Sequence, residues 1–177
     1  PLTATVAIIA PDCTSGGDTG ALLISGLAPN TAYDVSYDYN STAVPSMVMT
    51  TDINGQFVLS GLAAGIYDNL IISLQGCAST GPLGPFEIVP GTIALNLTAD
   101  EPTACFIEDG RFIFSGLVPG ALYTVAYSID GVLTDPITST ANSNGDVIIT
   151  NLGPGVYTDF SLSITSCFGA LLDVYEF

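Results

Sequence analysis

The chain contains two copies of one pattern, offset by 90 positions. LAAGIYDN at 62–69 returns as LGPGVYTD at 152–159. The same offset relates Gly26-Leu27 to Gly116-Leu117, Tyr33 to Tyr123, Tyr37 to Tyr127, Asn54-Gly55 to Asn144-Gly145, Tyr67 to Tyr157 and Cys77 to Cys167. Only Cys13 and Cys105 depart from it, by 92 positions, which places a small length difference in the loop after the first strand. A repeat of this length sets the domain count before any motif is weighed. The expectation is two tandem domains, 1–90 and 91–177.

Within each copy the apolar residues alternate and never recur at helical spacing. In AYDVSYDY, Tyr33, Val35, Tyr37 and Tyr39 share one face while Asp34, Ser36 and Asp38 share the other. Tyr123, Val125, Tyr127 and Ile129 repeat that face in unit two. This reading places strands near 3–10, 20–25, 32–39, 46–51, 55–60, 66–75 and 84–89, and again near 91–98, 110–115, 121–129, 136–141, 145–150, 156–165 and 169–176. Pro29-Asn30, Asn54-Gly55, Ala64-Gly65, Pro119-Gly120, Asn144-Gly145 and Pro154-Gly155 supply the turns, with each Asn-Gly read as a tight hairpin. Seven short strands per unit make the expected fold class all-β, as two tandem seven-stranded immunoglobulin-like β-sandwiches.

A domain of about 90 residues has a small core and often needs extra support. Four cysteines allow three pairings, and their even placement favours Cys13 with Cys77 and Cys105 with Cys167. Each such loop would contribute roughly 4 kcal/mol on the chain-entropy model. Four free thiols in a reducing compartment are the alternative. Tyr33, Tyr67, Tyr123 and Tyr157 recur at equivalent corners and read as structural residues.

GLAPNTAY at 26–33 and GLVPGALY at 116–123 resemble the Leu-x-Pro-x-x-x-Tyr corner of fibronectin type III and other immunoglobulin-like domains. The whole order of Cys, Gly-rich turn, Pro-x-x-x-Tyr, Asn-Gly, Leu-x-x-Gly-x-Tyr and Gly-Cys or Ser-Cys resembles the immunoglobulin-like repeats of bacterial surface adhesins and of exterior proteins of tailed phages. Unit two departs from it at Asn151, where unit one has Gly61. The resemblance implies display on an outer surface and brings no catalytic residue with it.

Composition excludes more than it selects. Seventeen acidic residues stand against one cation, Arg111, and there is no histidine or lysine. The usual general bases, Schiff-base amines and imidazole ligands are absent, so the expectation is no enzyme, no catalytic residue and no cofactor. A net charge of −16 repels phosphate backbones and anionic bilayers, which argues against nucleic-acid and membrane partners. Acidic loops at Asp12 and Asp18, at Asp100, Glu101, Glu108 and Asp109, and around Asp52 and Asn54 offer oxygen ligands of the kind calcium takes, but not at EF-hand spacing. Solvated loops are the plainer reading, with no metal site. The sequons at Asn40 and Asn96 read equally as coincidence.

The start PLTATV fits removal of an initiator methionine better than a signal-peptidase cut. Together with the resemblance, it leads to the expectation of a structural protein on the exterior of a virus particle, a capsid decoration protein first and a fibre or tail component next. The partners would be other virion proteins, the capsid above all, with host-surface contact through unit two and self-association left open. A bacterial adhesin fragment or filament subunit is the alternative. Pro90-Gly91 is too short for a flexible linker, so the join is expected to be stiff.

Overall fold

Strands form where the alternating residues start, and they stop at residues that tolerate a left-handed backbone. The computed structural model describes residues 2–14, 19–74, 79–104 and 106–177. The chain divides into two compact units, Pro1–Pro11 with Thr19–Pro90, and Asp12–Asp18 with Gly91–Phe177. The division falls at 90/91, and residues 12–14, assigned to unit one from sequence, group with unit two. Both units are all-β.

In unit one the strands are β1 (Thr5–Ile9), β2 (Gly20–Ser25), β3 (Ala32–Tyr39), β4 (Thr42–Thr50), β5 (Phe57–Leu62), β6 (Gly65–Ser73) and β7 (Phe86–Ile88). They form a three-stranded sheet, β1-β2-β5, and a four-stranded sheet, β4-β3-β6-β7. Division of seven antiparallel strands into these two sheets is the immunoglobulin-like arrangement. Leu22, Ile24, Phe57 and Leu59 of the first sheet pack in one buried cluster with Tyr33, Val35, Tyr37, Leu70 and Ile72 of the second.

Among the described residues, unit two occupies the same seven positions with ten strands, because three of the expected strands are each divided. These are β8 (Gly91–Thr92) and β9 (Asn96–Asp100), β12 (Val132–Leu133) and β13 (Ile137–Thr140), and β16 (Cys167–Leu171) and β17 (Tyr175–Glu176). The unbroken strands are β10 (Gly110–Ser115), β11 (Leu122–Ile129), β14 (Val147–Leu152) and β15 (Val156–Ile164). The opening strand changes sheets: β8 runs parallel to β16, whereas β9 pairs antiparallel with β10. Pro136 stands between β12 and β13. In unit one Pro45 lies within β4, at the shift where Val35 pairs with Met47 but Tyr37 with Val44. A bulge on an edge strand is where a residue without an N–H can sit in a sheet.

The Asn-Gly pairs do not make tight hairpins. Asn54-Gly55 joins β4 to β5, which belong to different sheets, and Asn144-Gly145 joins β13 to β14 in the same way. The two-residue hairpin loops are Asn40-Ser41, with φ of 46° and 66°, and Asp130-Gly131, with φ of 50° and 78°. Two successive positive φ angles give the turn whose twist matches that of the flanking strands.

Four bulges explain why the buried residues skip from two-residue to three-residue spacing. Between Leu59 and Leu62 the extra residue is Gly61 at φ 74°, and between Ile149 and Leu152 it is Asn151 at φ 62°. Asparagine is among the few non-glycine residues that adopt this conformation readily, so this departure between the repeats preserves the backbone. Between Tyr67 and Leu70 the left-handed residue is Asn69, and between Tyr157 and Phe160 it is Asp159. The repeated phrase therefore encodes a corner followed by a bulge that returns the next apolar side chain to the core.

Gly55 and Gly145 meet a second demand. A β-carbon at Gly55 would lie 2.0 Å from the Leu27 carbonyl oxygen, and one at Gly145 would lie 2.3 Å from that of Leu117. Both glycines also sit at positive φ. Gly55→Ala is expected to cost at least about 2 kcal/mol through strain plus collision with backbone. Gly61→Asn, which copies unit two and has nothing within 4 Å of its β-carbon site, should stay within about 1 kcal/mol of the parent. Urea midpoints of the two variants check this, and equal losses would contradict it.

Candidate functional site

The polar side chains that sequence singles out are occupied in holding turns. Tyr33 is 1% exposed, and its hydroxyl accepts the Ala28 N–H at 3.1 Å; Tyr123 does the same for Val118, also at 3.1 Å. Tyr67 and Tyr157 donate instead, each at 2.8 Å, to the carbonyls of Ala63 and Gly153 four residues upstream. That second geometry, at the entrance to β6 and β15, is the tyrosine corner of immunoglobulin-like domains. It belongs to the repeated phrase rather than to the Leu-x-Pro stretch that carries the resemblance.

Burial pushes the Tyr67 hydroxyl up to about 12, with the neighbouring Tyr39 and Tyr37 adding to the shift and the Ala63 hydrogen bond opposing it. Burial likewise raises Tyr37, Tyr127, Tyr157 and Tyr175.

The acidic loops are used locally as well. Asp52 accepts the N–H groups of Asn54 at 2.8 Å and Gln56 at 2.9 Å, and the Gln56 bond leads in holding its carboxyl below the usual carboxylate range. Asn142 takes the same place in unit two, accepting from Asn144 and Asp146. Asp109 receives the Thr103 hydroxyl and N–H, and both lower it. Asp100 pairs with Arg111, and Asp12 receives the N–H and hydroxyl of Thr14. Asp18 lies outside the described residues. Among the described residues no group of three or more acidic or cysteine side chains is gathered as a metal site. Asn40 is also structural, since its side-chain oxygen accepts the Ile66 N–H at 3.0 Å, as Asp130 does for Val156 at 2.9 Å.

The expected cysteine pairing is overturned. Cys13 is bonded to Cys167, across a sequence separation of 154, with Cα atoms 5.8 Å apart. A cysteine has one partner, so neither Cys13–Cys77 nor Cys105–Cys167 forms. The reason is the placement of residues 12–14 with unit two, where Cys167 opens β16. Cys77 and Cys105 lie outside the described residues. Closing a loop of this separation is worth about 5 kcal/mol on the chain-entropy model.

The two copies differ at the surface. On β3 and β6 the outward side carries Asp34, Asp38 and Asp68, with Asp38 opposite Asp68 and Asp34 opposite Ser73. The equivalent positions of β11 and β15 hold Thr124, the buried Ser128, and Thr158, whose hydroxyl donates to the exposed Asp159 carboxylate at 2.8 Å, with Ala126, Ser161 and Ser163 between them. Phe168, beside Ser163 on β16, is 49% exposed. Sequence comparison aligned these positions without weighing the loss of charge. Unit two also has an apolar concavity of about 510 Å³ whose walls include Pro102, Phe106, Pro154 and Phe177, with Glu101 and Glu176 beside them. Phe106 is 95% exposed at φ 72°. The concavity offers apolar surface for binding, with the Glu101 and Glu176 side chains at its wall. No helix among the described residues is long and apolar enough to cross a membrane.

No family model matches the chain, and no curated protein does. Solved structures similar in fold include a cytokine receptor complex, at 13% identity over 98% of this chain and 95% of that one with a TM-score of 0.35. Murine CEACAM1b is 11% identical over 98% of both chains, with a TM-score of 0.37. A mouse coronavirus receptor-binding domain complexed with its murine receptor gives 11% identity, 98% of both chains and 0.35.

The raised tyrosines set an alkaline limit. A group whose folded value lies above its unfolded value contributes stability in full below the unfolded value, near 10, and loses it as pH rises through the folded one. Stability should therefore hold to about pH 10 and fall toward pH 12 as Tyr67 ionises. Tyr67→Phe should lower neutral-pH stability by about 1 kcal/mol and flatten part of that fall. Urea unfolding of both proteins from pH 8 to 12 checks it; identical alkaline slopes would contradict it.

Proposed function

We propose that the chain is a non-enzymatic structural protein of a virus particle, displayed on its exterior as a capsid decoration protein. The observation that carries this reading is the division of labour between the two copies. Tyrosines, loop carboxylates and bulge residues are spent on holding the same sandwich twice, while the outer sheet face changes from Asp34, Asp38 and Asp68 in unit one to Thr124, Ser128 and Thr158 in unit two, where Asp159 is the carboxylate beside them. A protein built this way presents two different surfaces on a repeated frame, which suits a component that joins a particle and faces outward.

Two further properties support an exterior setting. The Cys13–Cys167 bridge belongs to an oxidising environment. The net charge of −16 keeps copies crowded on one surface from associating without specificity. The proposed partners are other virion proteins, with the capsid first.

Antibody raised against the purified chain, used for gold labelling of culture fractions, tests the proposal. Label on sedimented particles, at regular positions over the shell, is the expected result. Label confined to intact cell surfaces or cell-attached filaments would overturn it in favour of an adhesin or filament subunit.

A further inference from the structure

The Cys13–Cys167 bridge changes how the chain carries force. It closes a covalent loop containing residues 14–166, an interval that holds every strand from β2 to β15. Only β1, the part of β16 beyond Cys167, and β17 lie outside that loop. Tension entering before residue 13 and leaving after residue 167 passes along the backbone to Cys13, through the two sulfur atoms, and onward from Cys167. It has no covalent reason to enter the loop, because the bridge is the shorter path.

We infer that the bridge shields the strands from β2 to β15, in both folded units, from tension applied through the chain's flanks. The inference goes beyond the proposed function and holds equally for a virion or a cell-surface component. In a tandem without this bond, the units lie in series, and each must resist the load by its hydrogen bonds and packing. Here the load reaches the antiparallel β1–β2 ladder, at Thr5↔Ser25 to Ile9↔Ala21, the Leu2 N–H bond to the Ser79 carbonyl, and the pairings of β16 and β17 with β15 and of β16 with β8. β15 is paired with β11 and β16, and its own backbone lies inside the loop. A pairing of cysteines within each repeat would have left the 90/91 join in the line of force. The observed pairing removes it.

The test is single-molecule stretching of the whole chain, with handles at its two ends. The oxidised protein should lengthen by at most about 80 Å, the reach of the roughly two dozen residues outside the loop. Cys13→Ser should add up to about 500–550 Å, the extended length of the 154-residue separation, released in steps as the units unfold. Should the variant fail to fold, a phosphine reductant added to the oxidised wild-type chain under tension gives the same comparison in one molecule. Lengthening of the oxidised chain by several hundred ångströms would overturn the inference, and so would a chain that stays short after the bridge is cut.

Discussion

The approach of Gly55 to Leu27 is the constraint on which unit one depends, and Gly145 to Leu117 is its copy in unit two. Leu27 donates its N–H to the Gly55 carbonyl at 3.2 Å, and Leu117 donates to Gly145 at 2.9 Å. Each bond ties the corner that carries the chain from the first sheet to the second against the turn that carries it back. Two sheets packed face to face are held only by side chains unless their crossovers are joined. Glycine is required here because backbone meets backbone, at a φ that a β-carbon disfavours. The core, the tyrosine bonds and the bulges all assume that the sheets stay in this register.

Around that constraint the repeats agree where geometry demands it and differ where it does not. Asn40 and Asp130 serve one turn with one hydrogen bond, and Gly61 and Asn151 serve one bulge with one backbone conformation. Thr51 adds a bridge that unit two lacks, its hydroxyl reaching the Ala28 carbonyl at 2.7 Å, whereas Ala141 stands in its place. The cores are filled differently: Leu22 and Ile24 in one, Phe112 and Phe114 in the other, with Phe112 stacked 5.2 Å from Phe177. The outer sheet faces differ too, with Asp34, Asp38 and Asp68 of unit one replaced by Thr124, Ser128 and Thr158, because the choice of side chain there is freer than in the core. That freedom is where specific binding can arise on an otherwise fixed frame.

Alternation made the strands legible, and β3 follows its sequence expectation to the residue because nothing interrupts its pattern. Bulges were not legible, since a skip from Leu59 to Leu62 reads as noise until Gly61 is known to be left-handed. The hairpins at Asn40-Ser41 and Asp130-Gly131 carried a usable signal in residues that accept positive φ, but Asn-Gly, the stronger-looking signal, marks the sheet crossings instead. Cysteine connectivity was beyond reach because spacing alone does not fix which sulfur atoms meet. The placement of the Cys13 segment with unit two is a tertiary fact with no local trace.

Hydrogen exchange at the Leu27 and Leu117 amides tests the central claim most directly. Both residues lie in turns, where exchange is ordinarily fast, yet both N–H groups are engaged at the sheet crossing. The account expects each to exchange as slowly as the core amides of β2 and β10, opening only with its whole unit. Exchange at the rate of exposed loop amides would contradict it, because the crossovers would then open while the sheets remained closed.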